Sequence, residues 1–78
     1  MIITPGGVYR VGKVLYLAAI EKLDDTKVKL RLINSHNWIV LGEIIGKQLA
    51  NGKVDIPLFR GEEIAKNFRE YLKTSKNP

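Results

Sequence analysis

Thr26 to Leu32 reads T-K-V-K-L-R-L, and its alternation is strict: Val28, Leu30 and Leu32 fall on one parity, Lys27, Lys29 and Arg31 on the other. A period of two marks a strand, because successive side chains point to opposite sides of the pleat. A sheet that buries the aliphatic set carries three cations in a row on its other face. Upstream, Asp24-Asp25-Thr26 makes a three-residue hairpin loop. That loop length sets Ile20 opposite Leu30, Ala18 opposite Leu32 and Glu21 opposite Lys29. A two-residue loop would set Ile20 against Lys29 and move charge to the buried side.

Working outward, Thr4-Pro5-Gly6-Gly7 is turn chemistry, so regular structure starts near Val8. From Val8 to Lys22 the residues are largely aliphatic, β-branched or aromatic, and read as one long strand that bends or bulges at Gly12. Asn34-Ser35-His36-Asn37 is a second hairpin loop, and a third strand starts at Trp38. The run Trp38-Ile39-Val40-Leu41 is apolar on both parities. If a four-residue loop closes the hairpin, Ile39 and Leu41 join Leu32 and Leu30 inside, and Trp38 and Val40 stand on the face of Ile33 and Arg31.

Residues 43–50 fit a short helical stripe or a strand. Asn51-Gly52 serves either reading, as a hairpin dipeptide or a helix C-cap, and the strand is preferred because Val54, Ile56 and Leu58 alternate after it, with Pro57 confined to an edge or strand end. Ile64, Phe68, Tyr71 and Leu72 form one stripe of a helix over about 62–73. Gly61 stands at its N-cap, and Glu62 and Glu63 in its first turn. The tail 74–78 has nothing to bury. The expected fold is a single α+β domain over 1–78. It comprises a curled antiparallel sheet of three to five strands across about 8–59, in the manner of an SH3-like or OB-like barrel, and one C-terminal helix.

The 78 residues hold 13 Lys and Arg against 8 Asp and Glu, one His and no Cys. Disulfides are therefore excluded, and one histidine disfavours an internal zinc site, so no metal or cofactor is expected. The absence of cysteine and of a signal-peptide pattern fits a cytoplasmic protein, and few thermolabile residues suit a thermophilic source. The longest apolar run, Val14 to Ile20, is too short to span a bilayer as a helix. Ser35-His36 lacks a nearby acid to orient the imidazole, Asp24-Asp25 is ordinary loop chemistry, and no phosphate-binding glycine loop opens a helix. An enzyme is not expected.

A net charge of +5 favours anionic partners as well as solubility. Lys27, Lys29 and Arg31 stand about 7 Å apart along the strand, near the spacing of adjacent phosphates. Arg10 and Lys13 extend the patch, and Trp38 offers a base-stacking ring. The expected function is non-enzymatic binding of DNA or RNA, alone or within a ribonucleoprotein, through a cationic sheet face of low sequence preference. A solvated face whose lysines prevent aggregation would look the same in sequence. The alternative is a homodimeric interaction or structural module, because Leu15, Leu17 and Ile33 form a second apolar cluster that a helix or a second subunit must cover.

Overall fold

The computed structural model describes residues 1–75. In chain order the elements are β1 (Ile2–Ile3), β2 (Val8–Val11), β3 (Val14–Lys22), β4 (Lys27–Asn34), β5 (Val40–Gln48), β6 (Val54–Asp55), β7 (Glu62–Ala65) and α1 (Phe68–Ser75). The strands form one antiparallel sheet ordered β1-β6-β5-β4-β3-β2-β7.

This order forces curvature. β1 and β2 lie five strand spacings apart, about 24 Å in a flat sheet. The chain from Ile3 to Val8 reaches at most about 18 Å. The sheet must bring its ends toward each other, and the crossing segment is tied to the middle: the Gly6 amide donates to the Ala18 carbonyl at 2.8 Å. The Thr4 amide donates to the Tyr9 hydroxyl at 2.8 Å. Ile3, Tyr9, Leu30, Val54, Ile56 and Phe59 are buried together in the hollow of the curl. The sheet is strongly curled but not closed, because β1 and β7 do not pair.

The strand at β4 behaves as its alternation demands, with Val28, Leu30 and Leu32 buried and the basic residues on the opposite face. Its register against β3 is the one set by the three-residue loop: Ile20 opposes Leu30, Ala18 opposes Leu32 and Glu21 opposes Lys29. Asp24 fixes that loop by accepting the Thr26 and Lys27 amides at 2.8 and 2.7 Å. The two backbone amides, Lys27 first, hold the Asp24 carboxyl below its ordinary pKa.

Several expectations are corrected. There are seven strands rather than three to five. Val8 to Lys22 is not one bent strand: Gly12, at φ 64°, opens a tight turn that pairs Val11 with Val14. A glycine first in a two-residue hairpin loop supplies the positive φ that matches strand twist. Ile39 and Leu41 do not enter the core. A bulge between Leu32 and Ile33 pairs Ile33 with Val40 and Leu32 with Gly42, leaving Leu41 as the extra residue. Ile44 then takes the place opposite Leu30.

Residues 43–48 are strand, as preferred, but the return after Asn51-Gly52 is short. β6 ends at Asp55, Ile56 is buried, and Leu58 is exposed because the chain turns at Pro57, with the Phe59 amide bonded to the Ile56 carbonyl.

The helix also starts later than its stripe implies. Glu62–Ala65 pairs with β2, setting Glu62 beside Arg10 and Ala65 beside Val8, so tertiary pairing overrides the helical preference of Glu and Ala. Asn67, not Gly61, caps α1: its Oδ1 accepts the Glu70 amide at 2.7 Å. Thr74 and Ser75 belong to α1 rather than to a tail, and residues 76–78 lie outside the described residues. No helix among the described residues is long and apolar enough to cross a membrane.

Candidate functional site

The outer face of the sheet can be read row by row from the strand register. Val8, Leu17, Ile33 and Val40 form one row across β2 to β5. Ala19, Arg31 and Glu43 form the next, followed by Glu21, Lys29 and Ile45. Lys27 and Lys47 then stand opposite each other, with Asp55 beyond them.

Three of these positions carry the basic row expected from the sequence, and two of the three are internally paired. The Arg31 Nε donates to the Glu43 carboxylate at 2.8 Å, and its terminal nitrogen lies 3.0 Å from Glu21. The Lys29 ammonium lies 3.5 Å from the same Glu43 oxygen. The hydrogen bond from Arg31, followed by attraction to Lys29, holds Glu43 below the usual carboxylate range. The hydrogen bond to Glu43 and the charge of Glu21 raise Arg31 further. Two cations and two carboxylates form a locally neutral network.

Lys27 alone of the row has no salt-bridge partner among the described residues, and its cross-strand neighbour Lys47 adds like charge. Arg10 is also spent, in an ion pair with Glu62 that ties β7 to β2. Leu15, Leu17 and Ile33 are all half-buried. The most exposed apolar run is instead Trp38–Leu41.

Trp38 is held in an unusual way. Asn34 Oδ1 accepts the amides of His36 and Asn37 at 2.8 and 3.3 Å. Asn37 Oδ1 accepts the Ile39 amide at 3.0 Å, and the Trp38 amide closes the turn on the Asn34 carbonyl at 2.8 Å. The two asparagines thus build the loop from side-chain-to-backbone bonds. The closure leaves Trp38 at φ 63°, the only described non-glycine residue with positive φ. A side chain there costs about 1 kcal/mol or more, and glycine or asparagine is the usual occupant. Trp38 is nevertheless 56% exposed.

Phe68, in the first turn of α1, meets Trp38 edge-on with ring centroids 5.4 Å apart, and Tyr71 stacks beside Phe68 at 5.8 Å. Tyr71 also lines an open groove of about 370 Å³ together with Lys13, Val14, Leu15, Asn34, Ser35 and His36. The Ser35 hydroxyl is committed to the Leu15 carbonyl at 2.9 Å. The exposed cations Lys66, Arg69 and Lys73 lie on or just before α1, accompanied by one acid, Glu70. This end of the molecule therefore joins exposed aromatic surface to a cationic excess.

Of the expected site residues, the structure brings Trp38 and Lys13 to this end and places Lys27, Lys29 and Arg31 in other rows of the sheet, while Arg10 stands opposite the groove residue Leu15 but is engaged with Glu62. Sequence reading missed Glu43, which the bulge at Leu41 sets opposite Arg31, and it missed Phe68 and Tyr71 as partners of Trp38. The aromatic spacing at 68 and 71 was visible, but the loop that meets it was not. Among the described residues, no three or more His, Cys, Asp or Glu side chains converge as a metal site. No family model, curated protein or solved structure matches the chain.

Proposed function

We propose that the protein is a non-enzymatic binder of single-stranded DNA or RNA that stacks bases on Trp38 and attracts phosphates through Lys13, Lys66, Arg69 and Lys73. The observation that carries this reading is Trp38 itself: a large aromatic residue, half exposed, held by an asparagine-built loop in a backbone conformation where glycine would be more stable. Local strain sustained by surrounding structure is more common at binding sites than elsewhere. Aromatic surface beside flexible cations is the chemistry that single strands use, and it tolerates any base because every base has a π-face. A curled small sheet displaying loops at one end resembles, in general form, the OB-like and SH3-like barrels, which is an argument from analogy.

The cationic face of β4 takes a minor part in this reading, since Lys29 and Arg31 already satisfy Glu43 and Glu21. Fluorescence anisotropy of a labelled single-stranded oligonucleotide tests the assignment. Trp38→Gly should weaken binding by about tenfold, the worth of one stacked base, and Trp38→Phe should retain most of it. Lys29→Gln with Arg31→Gln should change it less than Trp38→Gly. Equal affinity of the native protein and the folded glycine variant would end the proposal.

A further inference from the structure

β5 runs for nine residues, yet β6 covers only its last two, Lys47 and Gln48. Gly46 is closed in as well, because Ile56 and the Asp55 carbonyl pack against it. From Val40 to Ile45, β4 lines one side of the strand, and among the described residues no strand lies along the other. Backbone donors and acceptors on that side face outward. The remaining sheet edges are short: β1 has two residues and β7 four. The free edge of β5 has no Lys and no Pro; its one charge, Glu43, is held by Arg31 and Lys29, and its bulge sits near the start of the stretch at Leu41. Apart from Gly42 and Glu43 its residues are aliphatic, with Val40, Leu41 and Ile45 each about half exposed.

Charge selects the occupant. The chain carries +5 and repels its own copies over most of its surface. Beside this edge, however, Glu43 and Glu21 balance Arg31 and Lys29. A polyanion gains little there, whereas two copies can approach without net repulsion. We infer that β5 pairs with β5 of a second copy, antiparallel about a two-fold axis near Glu43, to continue the sheet across a homodimer. In that alignment Leu41 of each copy meets Ile45 of the other, twice by symmetry. The two Glu43 carboxylates meet at the axis, and each is neutralised by Arg31 and Lys29 of its own copy one strand spacing away, which offsets the like-charge contact.

The test is sedimentation equilibrium of the full chain from low micromolar to millimolar concentration, without nucleic acid. The native protein should move from monomer to dimer mass. Ile45→Lys, which places an edge lysine on an exposed position, should weaken dimerisation by about tenfold or more while circular dichroism is unchanged. Amide hydrogen exchange supplies a readout that needs no variant: outward amides between Val40 and Ile45 should slow as concentration rises. A monomer throughout, or a dimer that Ile45→Lys leaves intact with those amides unprotected, overturns the inference. Neither result bears on Trp38, so this pairing and the nucleic-acid reading succeed or fail separately.

Discussion

Arg31 and Glu43 face each other directly across β4 and β5, and the guanidinium donates to the carboxylate at 2.8 Å. This pair changes the meaning of the basic row. The alternation of cations along β4 places them on one face, but the charge available to a partner depends on what the neighbouring strands set opposite them. Arg31→Ala should lower the thermal midpoint in low salt, and the loss should shrink as salt screens the network. Nucleic-acid affinity should fall less than on losing Trp38. Melting curves at two ionic strengths, run beside binding isotherms, check both parts.

The same network makes a pH prediction. Glu43 in the folded protein is held below its ordinary pKa by Arg31 and then Lys29, and Asp24 by the Lys27 and Thr26 amides. A depressed carboxylate contributes stability above its unfolded value, and that contribution is lost as pH falls through the folded value. Stability should therefore decline as pH drops below the usual carboxylate values of about 4. Glu43→Gln and Asp24→Asn should each flatten that decline, measured as midpoint against pH. Parallel curves for variant and native protein would contradict the assignment.

Much of the fold was legible where pattern and loop length agreed. T-K-V-K-L-R-L with Asp24-Asp25-Thr26 specified both faces and the register of β3 on β4, because a slip by one residue would have buried Lys29. The reading failed where a single residue changed parity or where distant pairing overrode local preference. Leu41 bulges, and Ile39 leaves the core with it. Glu62–Ala65 looks like the first turn of a helix, but the free edge of β2 and the charge of Arg10 draw it into the sheet. Trp38 was identified as a candidate, yet its positive φ and its contact with Phe68 depend on a loop closure that no periodicity encodes.

Gly46 reports how tightly the curl is drawn. A Cβ there would lie 2.2 Å from Ile56 Cδ1 and 2.7 Å from the Asp55 carbonyl oxygen. The second obstacle is backbone and cannot rotate away. Gly46→Ala should destabilise the protein by about 1–3 kcal/mol through overpacking, measured by urea unfolding.

Tyr9 joins the crossing segment to the core. Its ring is buried edge-on to Phe59, with centroids 5.8 Å apart, and its hydroxyl accepts the Thr4 amide. Tyr9→Phe preserves the ring and orphans that amide. The expected cost is about 1–3 kcal/mol, with faster hydrogen exchange at Thr4.

Trp38 is the single tryptophan of the chain, so its fluorescence reports on the proposed site without a label. Titration with a single-stranded oligonucleotide at low salt, repeated as salt rises, should quench the emission, with log affinity falling linearly against log salt concentration. Emission that does not change at the lowest salt, with oligonucleotide in large excess, would contradict the account.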